Sequence, residues 1–214
     1  MDVADMTAEM NDHGFTDTAS ARKVSMLNDA QYDLAGRFNW PWHLGTATLV
    51  FDGTSNVATT GYPTDLNMVY DLSRTDGGEF YPLTPIRLDD LDKRGVDLAT
   101  VGAPQEYYFI GDELTVNPRP LNGTTLRLRY YRVPAALAAE TLSANVDWPL
   151  QHHRVLVLGA LYRLYDLEDD PELSVRFQQH FEQRIDGMRS DLMQQVDRPE
   201  YIHPVDGLDN DWWD

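Results

Sequence analysis

The chain has 214 residues, 42% hydrophobic and 11% aromatic, which suffices for one ordinary domain or two small ones with a real core. Thirty-five acids against 17 basic residues, only two of them lysine (Lys23 and Lys93), set the formal charge at −18 and argue against a phosphate-gripping DNA-binding surface, which needs a basic footprint. The absence of cysteine excludes disulfides, thiolate nucleophiles and cysteine-based zinc sites.

Residues 1–15 read as a short acidic helix or a frayed arm, and MDVADMTAEM lacks the basic and apolar regions of a secretory signal. In FTDTASARKVSMLNDAQYDLAGRFNWPW, the residues Asp17, Thr18 and Ser20 are N-cap candidates. Val24, Leu27, Gln31, Leu34, Ala35 and Phe38 then recur at helical spacing, with Ala30 beside them. The spacing predicts a helix over 19–37, ended by Pro41. Residues 44–133 change to short alternating runs punctuated by Gly, Pro, Asn and Asp, which predict strands at 46–51, 66–72, 79–86, 105–111, 113–117 and 125–133. Gly111-Asp112 predicts a tight hairpin. Leu126, Leu128 and Tyr130 alternate with Arg127, Arg129 and Tyr131, so one face of that strand is buried and the other wet. LDDLDKRG (88–95) predicts one or two helical turns. Residues 134–147 form a connector, in which PAALAAE fits a helical turn.

Residues 148–192 predict two helices broken at Asp170-Pro171, the first starting at Pro149 with Asp147 or Trp148 as its cap. The second carries a single stripe, Phe177, Phe181, Ile185, Met188 and Leu192. The first is apolar on nearly every side. Leu150, Val157, Leu161 and Leu164 cover one face, Leu156 and Leu167 flank it, Tyr165 lies on the other flank, and Val155, Leu158 and Tyr162 fill the back. A helix with one apolar stripe packs on one core, whereas this one needs cover from several directions. A second copy of the chain is therefore expected to supply part of it, through Val155, Leu158 and Tyr162. The tail, 197–214, is acidic and ends DNDWWD. No run is long and apolar enough for a membrane span.

No phosphate loop, HExxH, GxSxG or strand–GxGxxG–helix is present, so no catalytic centre and no cofactor are expected. His152 and His153 are adjacent and diverge by about 100° on a helix, which suits structural or interface roles better than joint metal ligation. The carboxylate clusters at 89–92 and 166–170 sit where solvated caps are expected, and none has calcium-loop spacing. Trp40-Pro41-Trp42 lies at the junction of the helical and β-rich parts, as a plug or as a binding surface. Arg127, Arg129 and Arg132 share a strand and pair across it with acids, nucleic-acid contact being the alternative. Trp212 and Trp213, with Tyr201 and Ile202 upstream, are partner-binding candidates or dock back on the chain's own body.

These elements give an α+β chain: a small helical bundle from the N- and C-terminal segments (1–43 and 134–196), an inserted antiparallel β-domain (44–133) and an extended C-terminal arm (197–214). HGFTDTASARKVSMLNDAQYDLAGRFNWPW and the later helical pair resemble the head-to-tail adaptor proteins of tailed bacteriophages, especially those of actinobacterial hosts. Arg22-Lys23-Val24, Asn28-Asp29, Trp40-Pro41-Trp42, Ala160-Leu161 and Asp170-Pro171-Glu172-Leu173 carry the resemblance. It implies a virion protein assembled in the host cytoplasm and placed at the head–tail interface. It further implies a homo-oligomeric ring, usually of twelve copies, under the portal protein. Such a ring extends the DNA channel, lets DNA pass without specific binding and offers a platform to the next neck protein or the tail. By the same resemblance, the arm with Trp212 and Trp213 grips the portal. Two other readings compete. One is a carbohydrate- or ligand-binding module with Tyr107, Tyr108, Phe109, Tyr130 and Tyr131 as its platform. The other is a different neck or tail-completion protein.

Overall fold

The structure, a computed structural model, describes residues 2–76, 78–95, 97–138 and 146–196, with side chains to residue 192. The arm at 197–214 lies outside the described residues, as do Ala139 and Glu140 of the expected PAALAAE turn; the rest of that run, 134–138, is described and forms no helical turn, Leu137 bonding instead to the Asn28 side chain. The chain is α+β and divides into two compact units, Met1–Asp33 with Ala136–Asp214, and Leu34–Ala135.

The first unit is helical. α1 (Val3–Asp12) opens with a capping box: the Asp5 N–H donates to Asp2 Oδ1 at 2.9 Å, and the Asp2 N–H donates back to Asp5 Oδ2 at 3.0 Å. Val3, Met6 and Met10 are its fully buried face. α2 (Ser20–Arg37) starts with Ala19 O accepting from the N–H groups of Arg22 and Lys23, so none of the three expected caps provides the first carbonyl. Its expected stripe is buried at Val24, Leu27, Ala30, Gln31 and Leu34 and half-buried at Ala35 and Phe38. The buried Gln31 amide donates to Asn28 Oδ1 at 2.9 Å. Asn28 also bonds the backbone of Leu137 in both directions, at 2.8 and 3.0 Å, which pins the start of the connector to α2.

The expected helix start at Pro149 is replaced by a 3₁₀ turn, Leu150–His152, and α4 runs from His153 to Leu167. Pro149 has extended backbone (φ −57°, ψ 140°) and stays outside the turn. His153 Nε2 lies 2.6 Å from Trp148 O and fixes the entry angle. α4 ends with Asp169 in left-handed backbone (φ 58°), a conformation to which aspartate adapts better than most residues. α5 (Pro171–Val196) begins with Pro at its first position and with Asp170 Oδ1 accepting the Leu173 N–H at 3.1 Å. Ser174, Phe181, Ile185 and Met188 are its buried stripe, with Phe177 and Leu192 half-buried.

The second unit is a pair of sheets. β1 (Leu44–Val50), β2 (Leu66–Asp76), β3 (Glu79–Pro82) and β7 (Thr125–Arg132) form an antiparallel sheet in the order β1-β7-β2-β3. β4 (Thr84–Pro85), β5 (Glu106–Ile110) and β6 (Glu113–Asn117) form the second, with β4 parallel to β5. The run expected as one strand at 79–86 therefore serves both sheets. Pro82 and Pro85 lack the N–H that a continuous ladder requires. Between them the buried Leu83 donates its N–H to Leu72 O in the first sheet, and Thr84 donates to Gln105 O towards the second. The expected hairpin forms at Gly111-Asp112, where Gly111 takes φ 59°. Leu49, Phe51, Leu72, Leu83, Tyr107, Leu114, Val116, Leu126, Leu128 and Tyr130 fill the space between the sheets. α3 (Leu88–Arg94) ends on Gly95 in left-handed backbone, with only Leu91 buried.

Candidate assembly surfaces

The all-round apolar helix α4 is covered largely by its own unit. The backbone at Gly159 lies so close to α2 and α5 that a Cβ there would sit 2.8 Å from the Ala30 Cβ and 2.8 Å from the Phe181 ring. Arg163 bridges to Asp33 of α2 at 3.0 Å, and Tyr165 donates to His13 O at 2.8 Å while its ring stacks on Phe177. Val155, Leu156, Val157, Ala160 and Leu161 are fully buried in consequence. This corrects the expectation for Val155: with 0% exposure it has no surface to present to a neighbouring copy. Leu158 and Tyr162 are half-buried, and they keep surface at the back of the helix. Leu150 and Leu167, expected on packed faces, are 66% and 53% exposed because they stand at the two ends of the helix.

Around Leu158 lies a groove of about 380 Å³ lined by Arg154, Leu158, His180, Gln183 and Arg184. Leu158 is its apolar lining residue, and two guanidiniums, an imidazole and an amide surround it. Glu9 lies 3.5 Å from the Arg154 guanidinium, and Arg184 donates to Gln151 O at 3.4 Å. Burial, and then the nearby Arg184 charge, push the neighbouring His152 imidazole below its ordinary value. His152 and His153 are both buried and face structural neighbours, and no group of three metal-ligating side chains exists among the described residues.

The outer face of the first sheet is the second surface. The alternation read for β7 holds: Leu126, Leu128 and Tyr130 point to the core, and Arg127 and Arg129 point out. Both arginines converge on Asp71 of β2. Arg129 gives it Nε and Nη2 at 3.1 and 3.0 Å, and Arg127 stands 3.8 Å away. Arg127 also lies 3.4 Å over the Phe80 ring, and Arg129 lies 5.0 Å over Tyr70, whose ring meets Tyr131 edge-on. Tyr70 is 54% exposed and Phe80 50%, so the layer of stacked rings and guanidiniums is open to solvent. The strand pairing of Arg127 and Arg129 was legible. The contribution of Tyr70 and Phe80 was not, because a bulge in β2 near Val69–Asp71 sets which residues face outward.

Three of the five tyrosine and phenylalanine residues expected as a ligand platform are buried, Tyr107, Tyr108 and Tyr130. Tyr107 and Tyr130 fill the core between the sheets, and only Phe109 and Tyr131 retain surface, so the platform does not form. The Trp40-Pro41-Trp42 turn is a plug within the second unit. Trp40 is 0% exposed, donates its indole N–H to Leu34 O at 2.8 Å and stacks on Trp42 at 5.0 Å. Tyr201, Ile202, Trp212 and Trp213 lie outside the described residues. No helix among the described residues is long and apolar enough to cross a membrane.

The described residues thus hold a buried aromatic plug, a groove beside Leu158 on the helical unit and an open arginine–aromatic layer on the first sheet. The chain belongs to the SU10 adaptor protein family, whose model matches residues 1–205. It is thus a phage adaptor, a structural component of the virion. No curated protein matches the chain.

Proposed function

We propose that the chain is a ring-forming head-to-tail adaptor. Copies close into a ring, usually of twelve in such adaptors, between the portal and the next neck protein or tail, and they extend the channel through which DNA passes. The family match over residues 1–205 is the observation that carries this reading. The formal charge of −18 supports it, since acids facing a bore repel the duplex and let it slide without sticking. Leu158 and Tyr162 are the inter-copy contacts, and the open layer of Tyr70, Phe80, Arg127 and Arg129 is the surface offered to the next neck protein. The segment 197–214, with Tyr201, Ile202, Trp212 and Trp213, grips the portal. Deleting 205–214 is expected to abolish co-sedimentation with portal particles while the circular dichroism spectrum stays that of the folded chain. A truncated chain that still loads normally contradicts the arm.

A further inference from the structure

The Leu158 groove gathers two arginines and a histidine in a strongly acidic chain, with Glu9 on the Arg154 guanidinium, and it lies on the unit from which the C-terminal segment departs. That segment has the complementary chemistry. Residues 197–214 hold six acids against one arginine, Arg198, and place Asp209, Asp211, Trp212, Trp213 and Asp214 together. Arg154, His180 and Arg184 suit the acids, and the half-buried Leu158 side chain offers an indole an apolar contact. Arg184 is twelve residues before Val196, a rise of about 18 Å along α5. The sixteen residues from Val196 to Trp212 span up to about 55 Å when extended, enough to turn back and reach the groove with slack.

We infer that in the free protein the segment around Trp212-Trp213 docks into the groove formed by Arg154, Leu158, His180, Gln183 and Arg184 of its own copy. The docked segment covers Leu158, the same surface proposed to meet a neighbouring copy. Release of the segment to a portal then uncovers that surface, so portal binding licenses ring closure and free copies stay apart. This consequence rests on the ring reading above; the docking itself does not.

The test is tryptophan fluorescence of the full chain under acrylamide quenching. Trp40 and Trp148 are buried, and the contribution of Trp42 and of both buried indoles is subtracted with a Trp212→Phe/Trp213→Phe variant. The tail signal is expected to be protected in the parent protein. Its quenching constant should rise two- to threefold in Arg154→Glu/Arg184→Glu, with the circular dichroism spectrum unchanged, and rise partly in high salt. Tail tryptophans that quench as freely in the parent as in the double variant overturn the docking. The chain has no cysteine, so Gln183→Cys with Asn210→Cys supplies the only two thiols. Oxidation is expected to give a cross-linked monomer, and a cross-linked dimer or no cross-link overturns docking within one copy. Sedimentation of a chain lacking 205–214 tests the consequence separately. Self-association without portal supports it, whereas a protected parent tail with a monomeric truncated chain overturns the ring role of Leu158 and leaves the docking standing.

Discussion

Leu158→Asp separates assembly from folding because Leu158 and Leu161 sit one turn apart on α4 with opposite surroundings. Leu158 is half-buried and Leu161 is fully buried. Full burial of a leucine stabilises by about 1.5–3 kcal/mol, so a half-buried one contributes roughly 1 kcal/mol. The lower helix propensity of aspartate adds about 0.5 kcal/mol. A total of about 1.5 kcal/mol leaves a domain of ordinary stability, about 5–15 kcal/mol, folded. Leu161→Ala is expected to cost about 2–5 kcal/mol, and Leu161→Asp more, because an unpaired carboxylate enters the core. In the proposed ring, by contrast, a carboxylate at 158 would be buried against the neighbouring copy and unpaired. Urea unfolding of the isolated chain should therefore show a modest shift for Leu158→Asp with unchanged slope, while electron microscopy of portal mixtures shows rings lost. Tyr162→Asp should behave alike. Rings that persist with either variant, or an isolated Leu158→Asp chain that does not fold, would refute the reasoning.

Two glycines in helices should respond oppositely to alanine. Gly187→Ala has open space and is expected to gain about 0.5–1 kcal/mol from helix propensity. Gly159→Ala drives its Cβ to 2.8 Å from both Ala30 and Phe181, an overpacking cost of about 1–3 kcal/mol that outweighs the same gain, so it should lower the denaturation midpoint. Asp71→Ala leaves Arg127 and Arg129 side by side on one face of β7 without the carboxylate that both approach. A loss of about 1–2 kcal/mol, larger at low salt, should appear in thermal melts. The His152 imidazole, held by burial below its ordinary 6.5, takes up a proton in the unfolded chain before it does so in the folded one. The stability it contributes is full above pH 6.5 and falls as the pH drops through the window below that value. The parent should therefore lose more stability between pH 7 and pH 5 than His152→Gln, measured by urea midpoints, and equal losses would contradict this assignment.

Helical spacing placed α2 within one residue at its start, and the Asp170-Pro171 break placed the α4–α5 turn, because caps and prolines act locally. The β7 alternation placed the sheet core for the same reason: a period of two fixes which side chains share a face. What sequence could not supply was the identity of the cover. The apolar back of α4 read as surface awaiting a second copy, yet Val155 is buried within its own unit. The small Gly159 allows Ala30 and Phe181 to close on that side, a long-range fit that no local pattern encodes. The strand at 79–86 divided between two sheets because each proline removed a donor, and the destination of Leu83 depended on partners more than ten residues away. The Leu158 groove was half legible. His180 and Arg184 are four apart on α5, as are Arg154 and Leu158 on α4, but only the packing of the two helices brings the pairs together.

The claim that this adaptor works as a ring is tested most directly by negative-stain electron microscopy of the full chain mixed with the portal of its own phage. Closed rings seated on one end of the portal, absent from the chain alone, are the predicted result. Portals left bare, or single copies bound without closure, would contradict it.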